Sequence, residues 1–184
     1  DRNCLTSCEN LKIKIVAGKF FVDFEQFYLP LAARRERVDI LHCTGNTTPY
    51  FSPVPVVQTL HDVIFMDAIP SGDTLYQRFG NHYRRKIVPL VTPRSHAVIT
   101  VSQYEKERIA QSLAINREKI HVIYNGLNQD HFHNNFSSSR ENDVRQKYHL
   151  PENFILFLGN EATRKNPGRA IEAYLKYSAS AENP

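Results

Sequence analysis

Cysteine is scarce in this sequence: Cys4, Cys8 and Cys43 are the only three. Zinc sites want Cys or His paired at tighter spacings, so these three form no metal set. An odd, sparse count fits a reducing compartment and points to the cytoplasm. A strong charge of one sign is lacking too, since the formal net charge over 184 residues is only +4. That mild excess suits anionic substrates or an anionic membrane surface. It is far below what a nucleic-acid reader carries, and no aromatic-plus-basic stripe points to nucleic acid as a partner. No apolar run has the length of a membrane span, and the polar start "DRNCLTSCEN" is unlike a signal peptide. No Gly-x-Ser-x-Gly elbow is present, which leaves a hydrolase triad unsupported. A glycine-rich first turn is missing as well. Residues 1–24 offer one strand, "LKIKIVA" (Leu11–Ala17), and the chain opens on Asp1 rather than Met. A doubly wound domain opens with a strand and a glycine turn, so the expectation is a processed chain or a piece of a longer one.

What is present is strand alternating with helix. "VDILH" (Val38–His42), "PVVQTL" (Pro55–Leu60), "AVITV" (Ala97–Val101) and "KIHVIY" (Lys119–Tyr124) read as strands. The spacing predicts a helix from about Asp73 to Val88, with Leu75, Tyr76, Phe79, Tyr83 and Ile87 on one face. Pro89 should kink or end it, and Pro93 closes the segment. "SQYE" reads as a capping box, Ser102 at the N-cap and Glu105 three residues on, starting a helix that carries Ile109 and Leu113 inward. This order predicts an α/β fold with a parallel sheet covered on both sides.

The stretch from Leu127 to Asn153 is polar and rich in Asn and Ser, as a linker would be. After it, "FILFL" (Phe154–Leu158) reads as a buried strand. Asn166 is a good N-cap, Pro167 suits the first helical position, and Ala170, Ile171, Ala173, Tyr174 and Tyr177 recur at helical spacing. One strand and one helix do not make a domain, so a second α/β domain is expected to begin here and to be cut off. The expected organisation is a first domain over 1–127 lacking its first strands, a linker over 128–152, and the start of a second domain over 153–184.

In open α/β sheets function collects at the carboxyl ends of the strands. His61 and Asp62 end the strand "PVVQTL". A histidine there can hydrogen-bond a sugar or diphosphate oxygen or move a proton near neutral pH; the plainer alternative is that both cap a loop. Arg164 and Lys165 precede a helix N-terminus, where phosphates bind, and Asn160 beside Gly159 could add a neutral donor. Ordinary solvated surface is the alternative for that basic pair. Ser102 reads first as a helix cap, and Asn125 with Gly126 as a turn, with ligand contact second in each case. His42 reads as a satisfied structural histidine. The run "HYRRK" (His82–Lys86) reads as a solvated helix face, or as a basic amphipathic helix touching anionic lipid.

Taken together, "FEQFYLP", "VDILHCTGN", "PVVQTLHDV", "AVITVSQYEKERI", "KIHVIYNGLNQDHF", "VRQKYHLPENFILFLGN" and "TRKNPGRAIEAY" resemble glycosyltransferase family 4 in order and rough spacing, from about Phe24 to Tyr174. The likeness is greatest to the mannosyltransferase-like members. It implies the GT-B fold, two Rossmann-like domains facing across a cleft, the acceptor mainly on the first and the nucleotide sugar mainly on the second. It implies retaining transfer of a hexose, mannose among the candidates, from a GDP- or UDP-sugar to a saccharide or lipid-linked acceptor, with no metal. By motif match His61 is the cleft histidine that contacts the donor sugar, Lys165 contacts the donor diphosphate, and Arg164 belongs to the arginine-lysine pair. Many members carry an arginine directly after the glycine, where this chain has Asn160. The family's later pair of glutamates has no counterpart here, which implies weak or no turnover by this chain alone. A cytoplasmic protein, with peripheral contact at the inner face of the membrane, is the matching expectation. The other readings are a non-catalytic sugar-nucleotide-binding remnant and a sugar-nucleotide epimerase of the same fold type.

Overall fold

The computed structural model describes residues 10–16, 18–67, 75–127, 138–159 and 165–180. They fall into two compact units, one holding the described residues up to Asn125 and the other those from Gly126. The first unit opens with a helical segment: α1 (Phe21–Asp23), a π turn (Phe24–Tyr28) and α2 (Leu29–Arg35). Pro30 has no N–H to offer the preceding turn, and the ladder widens so that the Leu29 amide bonds Phe24 O. Four parallel strands follow, β1 (Leu41–Cys43), β2 (Val56–Thr59), β3 (Ala97–Thr100) and β4 (Ile120–Val122), paired in the order β1-β2-β3-β4. Between β2 and β3 lies α3 (Leu75–Val91), and between β3 and β4 lies α4 (Gln103–Leu113).

Register places Cys43, Gln58, Val98 and Ile120 in one row across the sheet, all buried. Leu60, Val63, Phe65, Val88, Ile109 and Ala110 complete the core on that face. Both helical crossovers step the same way along the sheet, and right-handed connections then lay α3 and α4 on one face. The expectation of a sheet covered on both sides is therefore not met among the described residues; Ala97 and Ile99 on the other face of β3 are only half-buried. Burial pushes the Cys43 thiol up to about 12, with the Glu25 carboxylate adding to the effect, so this cysteine is chemically quiet.

Several local expectations are corrected. Residues 11–16 form no strand: apolar and basic residues alternate there, but β1 is the edge of the sheet, and Lys12 and Lys14 instead pair with Glu36 at 2.9 and 3.0 Å. Helix α3 runs through Pro89 to Val91, because buried Val88 and Val91 hold its last turn in the core despite the lost amide. Leu75, Tyr76 and Phe79, expected on its inner face, are exposed; Ile87 does pack against the core. Nor is "HYRRK" simply solvated, since Tyr83 donates to Glu25 at 2.5 Å and Arg85 donates to the carbonyls of Phe65 and Asp67.

In the second unit, α5 (Ser138–Tyr148) lies within the stretch expected as linker, and α6 (Pro167–Ser180) opens on Pro167. Asn166 has a left-handed backbone, φ 48°, instead of the extended one usual at an N-cap. Phe154–Leu158 is not a strand and all five side chains are exposed. A strand exists through its ladder, and among the described residues of this unit no second strand is there to pair with it. Among the described residues, no helix is long and apolar enough to cross a membrane.

Candidate functional site

Because the sheet is parallel, the residues that follow β1, β2, β3 and β4 share one edge. His61, Asp62, Ser102 and Asn125 all follow strand ends and so collect there. The sequence between β1 and β2 shapes the site. Thr44, Gly45 and Asn46 turn sharply after β1, with Asn46 left-handed at φ 68°. Its backbone N–H donates to Thr59 O at 3.2 Å, which folds the loop over the end of β2. Its side-chain Oδ1 accepts the His61 backbone N–H at 2.7 Å. The His61 ring closes the same loop, with Nε2 3.1 Å from Thr44 O. A carbonyl only accepts, so Nε2 carries the hydrogen, and the tautomer with a lone pair at Nδ1 is the neutral form that fits this contact. His61 is exposed, and Nδ1, which bonds nothing among the described residues, is in the neutral ring an acceptor for a ligand O–H.

Asp62 is half-buried and its Oδ1 accepts the Ile64 N–H at 3.1 Å, an Asx turn that starts the short 3-10 turn Ile64–Met66. Asp62 thus acts as the loop cap that was one of its two sequence readings. His42, in the middle of β1, lies 2.8 Å from Thr59 Oγ1 and is satisfied structurally. Ser102 caps α4, its Oγ accepting the Glu105 N–H at 3.1 Å. The reciprocal half of the box is not formed. The Glu105 carboxylate turns instead toward the Val63 amide beside His61 and Asp62. Among the described residues its Oε2 is buried without a partner, and Arg108, 3.7 Å from Oε1, is drawn to Asp67 at 2.5 and 2.6 Å. The site thus holds more than sequence reasoning singled out, namely Thr44, Asn46 and Glu105. The Gly-Asn pair after a strand was the one legible signal for the loop.

Burial raises the Glu105 carboxyl above its ordinary value; Arg108 opposes, Asp62 adds to the rise, and the Val63 amide opposes. The native state therefore binds this proton more tightly than the unfolded chain does. Stability falls as pH climbs from the ordinary carboxyl range through the raised value, and the loss persists above it. Glu105→Gln, which cannot ionise, is expected to melt higher than wild type at neutral pH. The gain should vanish at about pH 3 to 4, where both proteins are neutral at this position. Thermal melts at the two pH values check this, and a variant no more stable at neutral pH contradicts it.

Asn125 and Gly126 are exposed and form no turn; β4 stops at Val122, and Gly126 shows no left-handed φ. Asn125 belongs to the sheet unit and Gly126 to the second. In that second unit Gly159 is tightly approached, since a Cβ there would collide with the Phe157 ring. Lys165 is exposed, two residues before α6. Asn160 and Arg164 lie outside the described residues.

Comparison with known proteins adds the following. The model of the family described as Glycosyltransferase Family 4 matches residues 18–131. An uncharacterized glycosyltransferase of Methanocaldococcus jannaschii is 27% identical, over 77% of this chain and 37% of its own length. The chain therefore spans little more than a third of that relative. A crystal structure of a glycosyltransferase from Rickettsia africae aligns with TM-score 0.46 and 23% identity, covering 67% of this chain and 31% of that one.

Proposed function

The chain belongs to Glycosyltransferase Family 4, and from that premise we propose that the protein carrying it moves a hexose from a nucleotide diphosphate sugar to a saccharide or lipid-linked acceptor, with retention and without a metal. The observation that supports this reading is the His61 ring at the carboxyl edge of the sheet, tied at Nε2 to Thr44 O. Its Nδ1 accepts a hydroxyl of the donor sugar and orients the anomeric carbon. Lys165, read on its own unit, is the cation for a donor diphosphate. As the bond to the diphosphate breaks, negative charge grows on the leaving group, and a fixed cation stabilises it more than the ground state. Arg164 and Asn160 are the neighbouring donors in this reading. Mannose is the first hexose to test, from GDP or UDP.

The protein works in the cytoplasm, in peripheral contact with anionic lipid. Helix α3 supports that contact: besides Arg85, which is tied to backbone carbonyls, it carries Arg78, Arg84 and Lys86 with no acidic residue, and Leu75, Tyr76 and Phe79 are exposed at its start.

The full-length gene product, given UDP- and GDP-hexoses with lipid-linked and saccharide acceptors, is expected to release nucleotide diphosphate only when an acceptor is present, with or without chelator. Binding without any turnover would favour a non-catalytic module, and a hexose epimerised without an acceptor would favour an epimerase. The 184-residue chain by itself is expected to transfer nothing; measurable transfer by it overturns that part.

A further inference from the structure

One polar side chain in the core is used neither by the sheet nor by the reaction just proposed. Gln58 is 0% exposed, and it shares its row with Cys43, Val98 and Ile120. A primary amide in such a row must find partners or cost stability. Its Nε2 donates to Asn46 O at 2.8 Å, and its Oε1 lies 3.2 Å from the buried Ser95 hydroxyl. Asn46 in turn holds His61 through Oδ1, while Thr44 O of the same loop holds the His61 ring. A line of hydrogen bonds thus runs from Ser95, just ahead of β3 at the amino edge of the sheet, through the core to His61 at the carboxyl edge.

We propose that Asn46 and Gln58 are positioning residues for His61, gripping its backbone and, through the 44–46 loop, the orientation of its ring. This rests on the reading of His61 as the group that meets the donor sugar. The residue types fit the task. Asparagine is among the few side chains that tolerate a left-handed backbone and also present an acceptor to a neighbouring amide. An aliphatic residue at position 58 would fill the row but leave Asn46 O without its donor. The amide at 58 is explained by what it holds in place.

The test separates positioning from mere stability. Asn46→Gly keeps the left-handed backbone and removes only the acceptor; Asn46→Asp keeps Oδ1. In the 184-residue chain, with resonances assigned through His61→Ala, amide exchange is followed by NMR. Asn46→Gly is expected to speed exchange at the His61 amide about tenfold. The Leu60 amide, which bonds Ile99 O, should be unaffected. Gln58→Met, which fills the row without an amide, should give the same signature. In the full-length enzyme, Asn46→Gly should lower kcat by roughly 10- to 100-fold with KM for the donor nearly unchanged, and Asn46→Asp should recover most of it. Unchanged exchange at His61 in both variants overturns the proposal. So does a kcat loss that Asn46→Asp fails to relieve. The exchange measurement needs no substrate, so altered exchange in a protein that proves to transfer no sugar would sink the functional reading and not this one.

Discussion

In the full-length enzyme, His61→Ala is expected to lower kcat/KM for glycosyl transfer by about 10²- to 10⁴-fold, the range lost when a positioned hydrogen-bonding or proton-transferring side chain is removed. Stability should change by no more than roughly 0.5 kcal/mol. The two expectations separate because His61 is exposed, and its side-chain bond to Thr44 O leaves, when lost, an acceptor that water can reach. The loss should appear mainly in kcat if Nδ1 acts on the sugar hydroxyl as the anomeric carbon develops charge, and mainly in KM if it only anchors the ground state. An unchanged rate would take His61 out of the site altogether.

The largest effect on stability is expected at Glu25, which is 3% exposed. One of its carboxylate oxygens accepts the Thr47 hydroxyl, and the other accepts the Tyr83 hydroxyl at 2.5 Å and the Gln26 amide at 3.0 Å. Gln26 also accepts the Tyr50 amide at 2.9 Å and reaches Thr48 O at 3.3 Å. These two side chains of the π turn therefore fasten the loop between β1 and β2 to α3. Burial, then the hydrogen bond to Glu25, pushes the Tyr83 hydroxyl well above the ordinary tyrosine value, so it remains a donor at any working pH. Glu25→Ala removes the common acceptor, leaves these donors unpaired and opens a cavity. It should destabilise the sheet unit by about 3 kcal/mol. Tyr83→Phe, which removes one donor and leaves the acceptor two others, should cost about 1 kcal/mol. Urea titration of both variants checks this. A loss for Glu25→Ala no greater than that for Tyr83→Phe would show that the carboxylate is not the common anchor.

The "FEQFYLP" motif contributed to the family likeness without revealing this role. Its partners show why: Thr47 is 22 residues from Glu25 and Tyr83 is 58. No local periodicity reports a contact at that separation. The same holds for "SQYE". Its Ser half is local and forms, whereas the Glu105 carboxylate leaves the box and is buried beside the loop that follows β2. "LKIKIVA" and "FILFL" failed for the opposite reason. Their apolar patterns are those of strands, but a strand needs a neighbour for its hydrogen bonds, and the pattern does not say whether one is available.

By itself the sequence determined the order of the four strands and of α3 and α4, the positions of β2, β3 and α4 to within a residue or two, the Ser102 cap, and a family likeness strong enough to single out His61. These follow from hydrophobic period and from caps, which act over one or two turns of chain. Only the tertiary structure decided which ring nitrogen of His61 is tied to Thr44 O, that Asn46 and Gln58 stand behind it, and that Glu105 faces the site with a buried oxygen. Each of these depends on segments that meet only after the sheet has formed.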